Sequence, residues 1–436
     1  MRRCDRAPGA RIAAVRPGER TVSALGGRIA AALTAAMTVS ALAAGCTVTG
    51  SPAAQWVDPA SLDVGAYSVE PLDVPRGDSA RHGRVLESAR MTEALIDPVE
   101  ADPALRVPIG GAAMTPLPTP AKATTLLAAP VRAALERHGM LAGAAVGGSD
   151  RQAGVGGPAV GSARVLTVIV LRFPDADAAT RAAREIDAVD AAVSPDNAPV
   201  PIPNHSTAHA HWRPGVPTLA ASVAHESFVV SLLAGHTAPD LGALTTLAGA
   251  AFDRQLARLR EFAPTPRDRF AELPLDPEGM ISRMVPQAPG RWEYPAVTST
   301  SKQRNAGWDA ALHATGVVYG PRAAYLWGSR KRPGTAEAIG YSGFNLLARY
   351  PDPAAARDAF TIATRQDADN GLRPIPGPDR LDDVRCAENP EPDALGMTRF
   401  ICRVLYGRYY AAIAARELGS ARQKAAAQYG LLVNGG

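Results

Sequence analysis

The segment LTVIVLRFPDADAATRAA (residues 166–183) returns, altered but unbroken, as GFNLLARYPDPAAARDAF (343–360). The two align without a gap at an offset of 177, pairing Arg172-Phe173-Pro174-Asp175 with Arg349-Tyr350-Pro351-Asp352. In each copy a β-branched or leucine-rich run meets Pro-Asp. Proline stops the strand, and aspartate is placed to cap a helix by accepting from its free N–H groups. An alanine face follows (Ala178, Ala179, Ala182 and Ala183; Ala355, Ala356 and Ala359), which lets a helix lie close on a sheet.

A second match works outward from the first. TLAASVAHESFVVSLLA (218–234) pairs with TRFICRVLYGRYYAAIA (398–414) at an offset of 180, each read as two strands around a tight turn and leading to a helix. In the first copy Asp240 is placed to cap that helix, whose Leu241, Leu244, Ala248, Ala251 and Leu259 recur at helical spacing. A hairpin strand is expected before each repeat, near 140–147 and 317–328. A helix is expected near 123–138, with Pro130 kinking it or opening its second part. The order of elements predicts an α+β protein of two related domains, each an antiparallel sheet with helices on one face, in a ferredoxin-like arrangement. The expected division is a first domain over 61–262, a proline- and charge-rich linker over 263–279, and a second domain over 280–436.

Ahead of this lies a different composition. Residues 1–45 carry seven arginines against two acids and end in an uncharged, alanine-rich run from Ile29 to Gly45. A basic head, a short apolar stretch and small residues describe a secretory signal. A membrane-spanning helix needs about 20 predominantly apolar residues, and this run is shorter. Ala43-Ala44-Gly45-Cys46 resembles the lipobox of bacterial lipoproteins, with its leucine displaced by one place to Leu42. Cys46 is therefore expected to carry lipid as the first mature residue, with 46–60 as a tether and the outer face of the cell membrane as the address. Removing the signal turns the chain's net +4 into about −1, so its basic pI is no argument for nucleic acid. Cys386 and Cys402 remain. In an exported chain they are expected to bridge, with Cα atoms about 4.4–6.8 Å apart.

The opening of the mature chain, CTVTGSP (46–52) and SLDVGAYSVEP (61–71), and the later NLLARYPDPAAARDAF (345–360) resemble a family of actinobacterial lipoproteins known only as domains of unknown function. The resemblance implies an envelope lipoprotein with an N-terminal domain and a related C-terminal one. It implies no catalytic residues.

Chemistry-bearing motifs are sparse. GVGGPA (154–159) fits a dinucleotide glycine pattern only as a string, because a strand and not a helix follows it. His205, His209 and His211 fall within seven residues, near His225 and Glu226, yet CAENPEPDALG (386–396) in the second copy has no histidine; a polar loop is expected, with no metal and no cofactor. Glu93, Asp97, Glu100 and Asp102 lack calcium-loop spacing and read as a solvated face. GYSGF (340–344) lacks the spacing of a nucleophile elbow. Nothing positive supports an enzyme, and an envelope hydrolase with a scattered site stands as the competing reading. One asymmetry remains: nine of ten tyrosines lie beyond residue 290. Tyr325, Trp327 and Tyr341 are expected on strands near the basic turn Arg330-Lys331-Arg332. Facing outward, they would give a platform for a glycan or lipid-like ligand; facing inward, they are core.

Overall fold

The computed structural model describes residues 56–109, 115–152, 157–299, 312–327, 335–392 and 396–435. The expected signal segment, Cys46 and the basic cluster Arg330-Lys331-Arg332 lie outside the described residues. Trp56–Gly436 forms one compact unit.

Its first half contains α1 (Ala80–Met91), β1 (Val107–Pro108), β2 (Thr115–Pro116), α2 (Pro120–Ala123) and α3 (Val131–Arg137). The repeat proper follows: β3 (Ala142–Ser149), β4 (Val165–Arg172), α4 (Ala176–Ala191), β5 (Ala198–Pro199), β6 (His209–Trp212), β7 (Thr218–His225), β8 (Phe228–Gly235) and α5 (Leu241–Leu259). A small hairpin, β9 (Ala296–Ser299) and β10 (Leu312–Thr315), leads into β11 (Val317–Tyr319) and α6 (Pro321–Trp327). The second repeat runs β12 (Ala338–Ser342), β13 (Asn345–Arg349), α7 (Pro353–Asp369), β14 (Arg373–Ile375), β15 (Val384–Glu388), β16 (Phe400–Tyr406), β17 (Tyr409–Ala415) and α8 (Leu418–Asn434).

The sheet orders are β1-β3-β4-β8-β7-β6-β5, with β2 also on β3, and β11-β12-β13-β17-β16-β15-β14. Every neighbour is antiparallel. Strand for strand the two halves share one topology. The Pro-Asp junctions behave alike: Asp175 accepts from Ala178 N at 2.7 Å and Asp352 from Ala355 N at 2.8 Å. Phe173 N and Tyr350 N each donate across to the neighbouring hairpin turn, to Ser227 O and Arg408 O, both at 2.8 Å.

The α+β expectation of two related sheets holds, and its finer details need correction. The helices do not share one face. Leu166, Val168 and Val170 of β4 join Leu244, Ala248 and Phe252 of α5, whereas Ile169 and Leu171 join Ala179, Ala182 and Ile186 of α4. Alternate strand residues point to opposite faces, so α4 and α5 sandwich the sheet. In the second half α7 and α8 likewise belong to separate cores. All eight residues of β4 are buried, which fits a sequence that is apolar apart from Thr167 and the terminal Arg172. The ferredoxin-like order is matched over β4-α4-β7-β8-α5, but the strand beside β4 is β3, which precedes it in the chain.

The second hairpin also shifts register. His225 pairs with Phe228 and Tyr406 with Tyr409, an offset of 181 where the letters suggested 180. A one-residue slip would turn every side chain to the other face. The strand preceding β13 is β12, joined through Gly343-Phe344, not 317–328. Tyr325 and Trp327 lie on α6, a helix. Its start is set from afar: Glu93 accepts from Arg322 N at 3.0 Å and Ala323 N at 2.9 Å. Pro130 opens the short α3.

Neither expected connector hangs free. In the 263–279 segment Phe270 is buried against α1, and a Cβ on Gly83 would stand 2.0 Å from Phe270 O. Residues 56–60, expected within a tether, begin a packed strap: Val57, Leu62, Val64 and Tyr67 lie on the core of the second sheet. In return Ala314, Val317, Tyr319, Ala323 and Leu326 join the core of the first.

Candidate functional site

The aromatic residues singled out by the sequence separate. Tyr341, on β12, is half-buried and packs against cores of both halves. Its ring meets Tyr319 edge-on at 5.9 Å and His313 at 6.0 Å, and His313 stacks on Phe344 at 5.0 Å. Burial holds the phenols of Tyr319 and Tyr341 above the ordinary tyrosine range. Tyr325 is half-buried on the core of the first sheet, 5.5 Å beneath the Arg322 guanidinium, which pairs with Glu100. The side chain of Trp327 lies outside the described residues. The described rings thus gather where the halves meet.

The histidine triplet does not converge. His211, on β6, is buried with Nδ1 2.8 Å from Asp187 of α4 and Nε2 3.9 Å from Asp190. Burial raises the Asp190 carboxyl above its usual range. His205 turns to Asp253 of α5 at 3.0 Å, on the opposite face of the sheet. The acidic stretch is not a solvated face either. Glu93 caps α6, Glu100 reaches Arg322 and Arg258, and Asp102 reaches Arg164 at 3.0 Å. These groups join elements to one another.

The cysteines meet as expected. Cys386 and Cys402 are bridged, directly opposite on β15 and β16, with Cα atoms 4.0 Å apart. That is closer than the expected range. Leu405 N donates to Asp383 O and Asn389 N to Arg399 O on the same ladder, which places 386–402 at a non-hydrogen-bonded pair, where facing residues come nearest.

Sequence reasoning missed the surface made by the strap. Ser61, Asp63, Asp379, Arg380 and Arg422 line a cleft of about 370 Å³ between the strap, α8 and the loop after β14. Arg380 donates to Ser61 Oγ at 3.2 Å and Arg422 to Pro376 O at 2.9 Å; neither forms an ion pair among the described residues. Beneath the strap Lys424 is buried, 5.8 Å from the Tyr67 ring and 3.5 Å from Gln287. Burial pushes its ammonium down to about 8, against the pull of Glu293. At the strap's start Trp56 is exposed and tilted onto Tyr406 at 5.0 Å, with Tyr429 behind it at 5.7 Å. The one local signal was the large apolar pair Trp56-Val57 near the end of the expected tether. A smaller cleft of about 300 Å³ lies by α5, between Asp102, Arg164, His236 and Leu247.

These features define an α+β body of two topologically equivalent halves, stapled by a disulfide and clasped by a strap. The Domain of unknown function (DUF7373) N-terminal matches residues 74–275 and the DUF7373 C-terminal matches 280–435; the chain belongs to this family. No curated protein matches it. Among solved structures, the extracellular domain of PknH from Mycobacterium tuberculosis is similar over 39% of this chain and 94% of that one. At 9% identity and a TM-score of 0.26 the likeness carries no argument. No helix among the described residues is long and apolar enough to cross a membrane.

Proposed function

We propose that the chain is an exported envelope protein, anchored by lipid on Cys46 at the outer face of the cell membrane, with a binding or scaffolding role. The observation that carries the address is the bridge between Cys386 and Cys402, both buried in the second sheet. Such bridges form and persist in oxidising compartments, and the lipobox-like Ala43-Ala44-Gly45-Cys46 supplies the anchor. One acyl chain gives marginal membrane binding and two or more give stable anchoring, at about 0.8 kcal/mol per buried CH₂. Membrane-extracted protein should show acyl mass on Cys46, and Cys46→Ala should move the chain to the soluble fraction. An unmodified Cys46 overturns the reading.

Ligand capture belongs to the second half in this reading, with a glycan or lipid-like amphiphile as its object. Tyr325, Trp327 and Tyr341 would hold the apolar body and Arg330, Lys331 and Arg332 the anionic end. The half-burial of Tyr325 and Tyr341 and the tyrosine enrichment beyond residue 290 support it. Replacing the three basic residues together by glutamine should abolish retention on immobilised anionic envelope glycan without lowering the melting temperature. Retention unchanged by that replacement removes the basic turn from the site.

A further inference from the structure

We infer that the strap end of the molecule, with Trp56 at its tip, rests on the interface of the bilayer that holds the Cys46 lipid; this depends on the lipidation reading above. Trp56 is 61% exposed, yet its ring is held in place, backed by Tyr406 and through it by Tyr429. An indole fixed by phenols and open to solvent on its other side is the amphipathic group that settles at headgroup depth.

Chain length supplies the partner. Nine residues separate Cys46 from Trp56, so their Cα atoms lie within about 35 Å even when the chain is fully drawn out. No described residue has a shorter covalent path to the lipid. The strap in turn is fastened along α8: Asp63 accepts from Gln423 at 3.2 Å, Asn434 donates to Glu70 at 2.8 Å, and a Cβ on Gly430 would strike Val69. The body therefore cannot turn independently of Trp56. Nearby charges are mixed, with Arg380 and Arg422 against Asp58, Asp63 and Asp379. Partition of the ring, not attraction to anionic lipid, then dominates, and the contact should be nearly insensitive to salt.

The test uses the mature lipidated chain reconstituted in phosphatidylcholine vesicles with acyl chains brominated near the headgroup. Trp56 is one of five tryptophans, so quenching of up to about one fifth of the emission is expected, and it should persist in high salt. Trp56→Phe should remove that loss and Trp212→Phe should keep it. Emission unquenched by these vesicles, or quenching undiminished in Trp56→Phe, overturns the inference. Intact mass of the same preparation separates the two readings: lipidated but unquenched protein sinks this contact alone, while unmodified Cys46 sinks the anchor and the contact with it.

Discussion

Glu87 is fully buried on α1, and its carboxylate collects four donors. Arg172 and Arg90 reach it at 2.7 and 2.6 Å, and Thr265 donates its backbone N at 3.0 Å and its hydroxyl at 2.8 Å. Truncating one partner of a buried pair strands the other charge, at about 3–5 kcal/mol. Glu87→Ala should therefore lower stability by that order in chemical denaturation, and Glu87→Gln by less. Lys424 makes the opposite prediction. Its folded pKa of about 8 lies below the usual 10.5. Below pH 8 both states hold the proton and the cost of burying the charge is present in full. Between the two values the unfolded chain binds a proton that the folded chain does not, so stability rises with pH. Lys424→Met should stabilise the protein at pH 7 by about 1–3 kcal/mol, and the advantage should shrink between pH 8 and 10.5. An advantage that is constant with pH would contradict this origin.

At the scale of elements, the bridge ties β15, one strand from the sheet's edge, to β16. Closing a loop of this size contributes about 3 kcal/mol on the chain-entropy model. Replacing both cysteines by alanine should cost that much, and hydrogen exchange should quicken first in β14 and β15. Helix α1 offers a test of sign. In an open helix Gly→Ala gains up to about 1 kcal/mol. At Gly83 the new methyl would meet the Phe270 carbonyl, backbone that has no rotamer to yield. Gly83→Ala should destabilise by at least about 1–3 kcal/mol, read from the denaturation midpoint. A neutral or stabilising result would mean that residues 267–272 are not seated on α1.

Taken whole, the molecule is two repeats that trade parts. The strap buries Val57, Leu62, Val64 and Tyr67 in the second half, while β10, β11 and α6 complete the core of the first. Glu93 and Arg322 add a polar clasp across the same joint. Halves that share cores should unfold together, so calorimetry is expected to show one cooperative transition. Residues 74–275 and 280–435 made separately should each lack native hydrogen-exchange protection. Two resolved transitions, or either half folding alone, would overturn that view.

What the sequence by itself determined was local and periodic. Pro-Asp junctions, the alanine faces of α4 and α7, the Asp240 cap and the repeat they build need only neighbours within a few residues. The cysteine pair was legible because, with Cys4 expected to leave in a signal and Cys46 expected to carry lipid, only one partner remained for each. The tertiary structure alone decided the faces, the hairpin register and the partners. Helix α6 reads locally as strand and becomes helix because a carboxylate some 230 residues upstream satisfies its first N–H groups. The strap reads as the end of a tether (to residue 60) and the start of the first domain (from 61), yet its Val57, Leu62, Val64 and Tyr67 pack on the core of the second sheet, with α8 at the far end of the chain. Tyr341 reads by default as core, with a platform as the sharper alternative, and its surroundings come from two sheets at once. Backbone periodicity and capping act over a few residues and are written in order along the chain. Burial depends on which surfaces meet, and here those surfaces are contributed by residues hundreds of positions apart.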